Sequence, residues 1–298
     1  MIVLGFQHHA EQGRNLASML GCSYDEVATH HFPDGESRLT LPLISTEEIS
    51  EVIVYRTLDH PNDKLVELYM VCASLREQGI NKVTLVAPYL CYMRQDKAFN
   101  PGEVVAQRVI GQWLGEMVDK LITVDPHLHR IHHLDEVVPN TQNIVLSAAP
   151  LIADFLSQSA TNPLLLGPDE ESQQWVSQIA ERAGLDWAVA KKIRHSDHSV
   201  SVELPRQAVT DRHVVIIDDV ASTGHTLADA ARLLRQAGAR EVSCFVTHAL
   251  LSGDAEQVLA EAAITHLWSS DSIAHQSNVV SLTPLLADTL RRPPAHAT

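Results

Sequence analysis

The sequence predicts an α/β fold of two similar domains, each with a mainly parallel sheet flanked by helices. Three observations predict it. Short apolar runs rich in valine and isoleucine alternate with helix-length segments, the rhythm of parallel strands joined by crossover helices. The chain has 298 residues, enough for two domains of about 150 residues. A strand–turn–helix unit centred on 123–130 recurs at 217–226.

In chain order, the candidate strands of the first half are 2–5, 52–55, 83–87 and 121–124. Those of the second half are 164–167, 188–190, 214–217 and 244–247. Their near-continuous apolar character is that of strands covered on both faces. Leu65, Leu68, Val71, Cys72 and Leu75 fall at helical spacing, as do Leu227, Ala230, Ala231 and Leu234, so each set predicts the buried face of a helix. The domains are expected to be 1–143 and 144–298, joined near 141–149.

Composition narrows the function. The formal charge is 22 − 37 = −15, and without a block of lysine and arginine the chain lacks the basic footprint of a nucleic-acid partner. The four cysteines are far apart and form no CxxC. They read as buried thiols of a reducing compartment, and a cytoplasmic location is expected. The sequence has no apolar run of about 18 residues, so no membrane span is expected.

The strongest local signal is His213-Val-Val-Ile-Ile-Asp-Asp-Val-Ala-Ser-Thr-Gly-His-Thr226. An apolar strand runs into two acids, Asp218 and Asp219. A short polar turn then opens an amphipathic helix. The first amides of a helix favour an anion, and Gly224 allows close backbone approach. Ser222, Thr223 and Thr226 add hydroxyl donors, while the two acids can accept from vicinal sugar hydroxyls. This pattern predicts a site for a phosphorylated ribose at the carboxyl end of the sheet. A plain helix cap by Ser222 or Thr223 would explain one hydroxyl but not the acids and the glycine. The GxxxxGK[ST] phosphate loop is absent.

This segment resembles the ribose-phosphate loop of phosphoribosyltransferases and of the ribose-phosphate diphosphokinase (PRPP synthetase) family. Three further segments favour the latter. Phe32-Pro-Asp-Gly-Glu36 resembles its FPDGE loop. Tyr92-Met-Arg-Gln-Asp-Lys97 resembles its YxRQD(K/R) segment. Asp125-Pro-His-Leu-His-Arg130 resembles its D-x-H turn, in the form of the archaeal-type members. The four lie in the family's order and span nearly all of the chain.

The resemblance implies two tandem phosphoribosyltransferase-like domains and the reaction ATP + ribose 5-phosphate → AMP + PRPP. It implies that Phe32, Asp34, Gly35, Glu36, Arg94, Gln95 and Asp96 bind ATP, their loops meeting across a subunit interface of a homo-oligomer. It implies that Asp218, Asp219, Ser222, Thr223, Gly224, His225 and Thr226 bind ribose 5-phosphate. Lys192 and Arg194 match a basic arm that closes over the transferring group, with Arg194 also reaching the ribose phosphate. His127 and Asp169 are implied ligands of magnesium (Mg2+). A zinc site among His127, His129, His132, His133 and Asp135 is disfavoured, since paired cysteines and HExxH spacing are lacking.

The chain departs from the widespread bacterial pattern at Glu170, Glu171, Ser172 and Trp175, which stand near a glycine pair and an arginine of that form. Ser222 replaces a common acid and His225 a common glycine. The alternatives are a phosphoribosyltransferase that consumes PRPP, which leaves Phe32–Glu36 and Arg94–Asp96 unexplained, and a catalytically silent regulatory homologue.

Overall fold

The computed structural model describes residues 1–47, 49–158, 162–196, 199–203 and 209–292, with the backbone alone from 191 to 203. The chain forms two compact units, Met1–Leu146 with Leu282–Thr298, and Ser147–Ser281.

The first unit is built on β1 (Ile2–Phe6), β2 (Ser23–His31), β3 (Ser37–Thr40), β4 (Glu51–Tyr55), β5 (Lys82–Val86), β6 (Lys120–Val124) and β7 (Gln142–Leu146). They form one sheet in the order β3-β2-β1-β4-β5-β6-β7. Every pairing is parallel except β2 with β3, which is antiparallel. Helices α1 (Ala10–Leu20), α2 (Pro61–Glu77) and α3 (Ala106–Met117) connect the strands. On α2 the five residues expected to form a buried face are all buried, each stabilising the unit by about 1.5–3 kcal/mol where a large side chain is removed from water. The strand order reverses between β1 and β4, which makes their carboxyl ends the switch-point crevice of this sheet.

The junction expected at 141–149 is partly a strand. β7 pairs in parallel register with β6 and extends the first unit to Leu146.

The second unit contains β8 (Leu164–Gly167), β9 (Trp187–Val189), β10 (Lys191–Ser196), β11 (Ser199–Glu203), β12 (His213–Ala221), β13 (Glu241–Ala249), β14 (Leu267–Ser270) and β15 (Asn278–Val280). Six of these form a parallel sheet in the order β15-β14-β13-β12-β8-β9. Its switch point lies between β8 and β12. The helices here are α4 (Ala149–Ser157), α5 (Gln173–Ala183), α6 (His225–Gln236) and α7 (Ala255–Glu261). Leu227, Ala230, Ala231 and Leu234 of α6 are buried as their spacing predicts.

β10 and β11 form a separate antiparallel hairpin. The sequence suggests a loop after residue 194, but Val200 and Val202 alternate with serines on β11, the period of a strand. Lys192 and Arg194 lie on β10, opposite Val202 and Val200. Their side chains lie outside the described residues, as do residues 197–198 and 204–208.

The last helix, α8 (Thr283–Arg291), belongs with the first unit, whereas the expected partition assigns 282–298 to the second. Its buried residues include Leu286 and Ala287. It packs on α1, and Arg291 donates to the Met19 carbonyl near the end of that helix. Among the described residues, no helix is long and apolar enough to cross a membrane.

Candidate active site

In the second unit, β12 continues beyond the expected strand 214–217 and carries both acids to the carboxyl end of the sheet. Neighbouring residues of a strand face opposite sides. Asp218 is partly exposed, while Asp219 is buried and its amide donates to Asp218 Oδ1 at 3.0 Å. Burial first, then the nearby carboxylates of Asp219 and Asp169, hold the Asp218 carboxyl well above the ordinary carboxylate range.

The polar turn follows directly. Ser222 is partly exposed, and Thr223, His225 and Thr226 are exposed. α6 starts at His225 with Gly224 as its N-cap, at φ 75° and ψ −9°, and no side chain caps it. Among the described residues, none of the amides from Thr223 to Thr226 donates a backbone hydrogen bond. The helix-cap reading of Ser222 or Thr223 is therefore not what the structure contains. The turn presents several free N–H groups at the positive end of a helix, the arrangement that favours an anion. Gly224 is needed twice over. Its φ is left-handed, and a Cβ there would lie 3.1 Å from Leu259 Cγ and 3.2 Å from the Ala255 carbonyl oxygen.

Two contributors were not singled out from the sequence. The amides of Leu251 and Ser252 donate to the carbonyls of Ala221 and Ser222 at 3.0 and 2.9 Å. They pin the start of the turn to the loop after β13. Leu251 does this from a left-handed conformation, φ 41°, a strained state for a branched side chain. The Leu-Ser-Gly sequence after a buried strand was the available turn signal.

Asp169 sits just beyond β8. Its Oδ1 accepts from the amides of Glu171 at 3.2 Å and Ser172 at 3.3 Å. The Ser172 hydroxyl in turn donates to the Asp169 carbonyl at 2.6 Å. The acid is thus oriented by its own loop, and Ser172, a departure from the bacterial pattern, is part of that loop. Among the described residues, no group of three or more His, Cys, Asp or Glu side chains could by itself hold a metal ion.

In the first unit, Phe32–Glu36 is the tip of the β2–β3 hairpin, closed by the pair His31 and Ser37. Phe32 N donates to the Glu36 carbonyl at 2.8 Å and Gly35 N to the Phe32 carbonyl at 3.0 Å. Gly35 has φ 93°, and Glu36 N donates to Asp34 Oδ1 at 3.2 Å. Phe32 is 38% exposed. It packs edge-on against His30 at 4.7 Å, with the Arg38 guanidinium 5.9 Å from its ring centre. The tip is a well-formed turn that also displays an aromatic face and two acids.

Arg94 is exposed and Gln95 partly exposed. Asp96 is buried and accepts from Arg130 Nη1 through both oxygens, at 2.7 and 2.8 Å. This pairing ties the 94–96 segment to the 125–130 turn. Asp125, at the end of β6, has φ 38°. His127 is partly exposed, with its ring 6.3 Å from that of His129.

Comparison with known proteins identifies the two units. Residues 1–117 match the N-terminal domain of ribose phosphate pyrophosphokinase, and residues 136–278 match the phosphoribosyl transferase domain. The ribose-phosphate pyrophosphokinase of Methanopyrus kandleri is 31% identical over 97% of this chain and 98% of its own. That of Saccharolobus solfataricus is 31% identical over 92% and 93%. The crystal structure of phosphoribosylpyrophosphate synthetase from Mycobacterium smegmatis superposes with a TM-score of 0.79 at 23% identity, covering 97% of both chains, and shows the shared fold. With both domain models matched in order and relatives aligned over almost its whole length, the chain belongs to the ribose-phosphate pyrophosphokinase family.

Proposed function

We propose that this chain transfers a diphosphoryl group from ATP to the 1-hydroxyl of ribose 5-phosphate, giving PRPP and AMP. The reading is carried by the uncapped start of α6 beside Asp218, in a chain of this family. The free amides from Thr223 to Thr226, with the Ser222, Thr223 and Thr226 hydroxyls, receive the 5-phosphate; His225 borders it. Asp218 and Asp219 orient the ribose hydroxyls. The 1-hydroxyl oxygen bonds to the β-phosphorus of ATP as its proton passes to water, the bond from that phosphorus to the bridging α-phosphate oxygen breaks, and AMP leaves with that oxygen. Holding the reactants in line supplies much of the acceleration.

The first unit supplies the nucleotide groups. Phe32 offers a face for the purine, with Asp34, Gly35 and Glu36 around it. Arg94 and Gln95 contact base and phosphates, and Asp96 holds Arg130 beside them. Lys192 and Arg194 are proposed to stabilise the charge that spreads over the transferring oxygens.

Mg2+ is the proposed metal. Burial, and after it the nearby carboxylates of Asp219 and Asp169, raise the Asp218 carboxyl; a divalent cation relieves the carboxylate part of this, and carboxylate oxygens suit it. Asp169 is its proposed ligand in the second unit, and His127 the candidate in the first. When bound, Mg2+ neutralises phosphate charge. The active form is proposed to be a homo-oligomer, since Phe32 stands exposed at a hairpin tip.

A phosphorus NMR time course with ATP, Mg2+ and ribose 5-phosphate tests the reading. PRPP and AMP are expected, and Lys192→Ala should slow them by about 10² or more. ADP as the sole nucleotide product would replace the reading with that of an ordinary kinase.

A further inference from the structure

We propose that Glu67 is a positioning residue for the nucleotide hairpin: its buried carboxylate, held by Arg56, fixes the base of the 32–36 loop through Ser37. The inference rests on the assignment of that loop to ATP and deepens it.

The geometry begins at the hairpin base. His31 and Ser37 are the last pair of the β2–β3 ladder before the tip. Ser37 Oγ donates to Glu67 Oε1 at 2.8 Å. His31 Nδ1 lies 3.7 Å from the same oxygen and 3.3 Å from Ser37 Oγ. Among the described residues, every side-chain hydrogen bond or ion pair from 30–37 to the rest of its unit ends on Glu67. The hairpin has little else to hold it there. β2 leaves the edge of β1 after Val27, and His30, His31 and Phe32 are exposed.

Glu67 itself is buried and paired. It is only 2% exposed on α2, and its second oxygen accepts from Arg56 Nη2. Arg56 is 5% exposed and lies 3.6 Å from the centre of the Phe6 ring, stacked against β1. Among the described residues, its Nε and Nη1 have no hydrogen-bond partner. A buried guanidinium that leaves two donors unused holds Glu67 by charge and packing. A carboxylate there without its cation would be strongly unfavourable. The directions of Phe32, Asp34 and Glu36 are therefore set from the sheet, by way of Arg56, Glu67 and Ser37.

Ser37→Ala removes the link while leaving the buried pair intact, and Ser37→Thr keeps the hydroxyl. In the full chain without nucleotide, Ser37→Ala should speed amide exchange across 30–37 by about tenfold, the scale of one hydrogen bond to a charged group. The ATP KM should rise by about the same factor, with kcat and the ribose 5-phosphate KM changed by less than about twofold. Ser37→Thr should restore both exchange and KM. Unchanged exchange across 30–37 in Ser37→Ala would overturn the proposal. ATP protection of 30–37 in the unmutated chain is the separate check on the nucleotide reading. If exchange quickens in the variant but ATP gives no protection, the positioning role stands and the nucleotide assignment falls.

Discussion

At the carboxyl ends of β1 and β4 the chain buries Arg56 and Glu67 and pairs Lys64 with Asp59. At the carboxyl ends of β8 and β12 it leaves Asp218 partly exposed and Thr223 exposed. Both places are switch points of the same strand order. Each is followed by a helix whose N-cap is left-handed and has no side-chain cap, His60 before α2 and Gly224 before α6. The difference lies in what fills the crevice. α2 begins with Pro61, which removes one free N–H, and Lys64 and Glu67 of that helix are paired with Asp59 and Arg56. α6 begins with ordinary amides. Topology creates the same switch point twice, and a handful of side chains separate the crevice proposed to bind from the one that is braced.

The largest effect should separate the two crevices outright. Asp218→Asn is expected to lower kcat/KM for ribose 5-phosphate by about 10²–10³ without loss of folding. Its raised carboxyl means that the folded state holds the proton more tightly than the unfolded chain. The associated stability is complete in acid and is lost as pH rises above the ordinary carboxylate range. The thermal midpoint of the variant should therefore match or exceed that of the parent at neutral pH. Full activity in Asp218→Asn would erase the contrast between the crevices.

Arg56→Met should act on stability instead, costing about 3–5 kcal/mol because Glu67 is left buried without a cation. Adding Glu67→Leu should recover most of this in a denaturant titration. Equal losses in the single and double variants would mean that the pair is not the brace described.

His9 sharpens the same side. It is buried near Lys64, and burial first and Lys64 second lower its pKa to about 4. The folded state resists its protonation, so stability is complete above the unfolded pKa of 6.5 and is lost as pH falls towards 4. The loss should reach roughly 3 kcal/mol at the acid end, and His9→Gln should flatten that part of the stability profile.

The smallest effect is Gly224→Ala, expected to cost about 1–2 kcal/mol for a left-handed alanine. The ribose 5-phosphate KM should rise about tenfold through the displaced turn, with the ATP KM unchanged. A shift in both constants would argue that the two substrates do not depend on separate units.

The buried strands and the turn after β12 were legible because their signals are local: apolar runs that end abruptly, and acids, hydroxyls and a glycine packed into nine residues at 218–226. β2 was not, because its segment, SYDEVATHH, is polar and largely exposed and carries only one buried residue, Val27. β7 was read as a junction because Gln142 and Asn143 begin it. Nothing in the spacing of 65–75 distinguishes Glu67 from a solvated acid, since its partners Arg56 and Ser37 are brought to it by the sheet. The burial of Asp219 follows from β12 running on through both acids, a strand length that the apolar pattern does not show.

The placement of α8 carries a consequence for synthesis. The first unit is interrupted by the whole of the second and closed by 282–291. A ribosome delivers Ser147–Ser281 before the helix that covers α1 exists. The later-encoded unit can therefore fold while the earlier one still exposes the apolar patch on α1 awaiting its cover. A stalled or truncated chain ending before Leu282 would carry an intact 218–226 turn on a molecule whose opening helix remains bare.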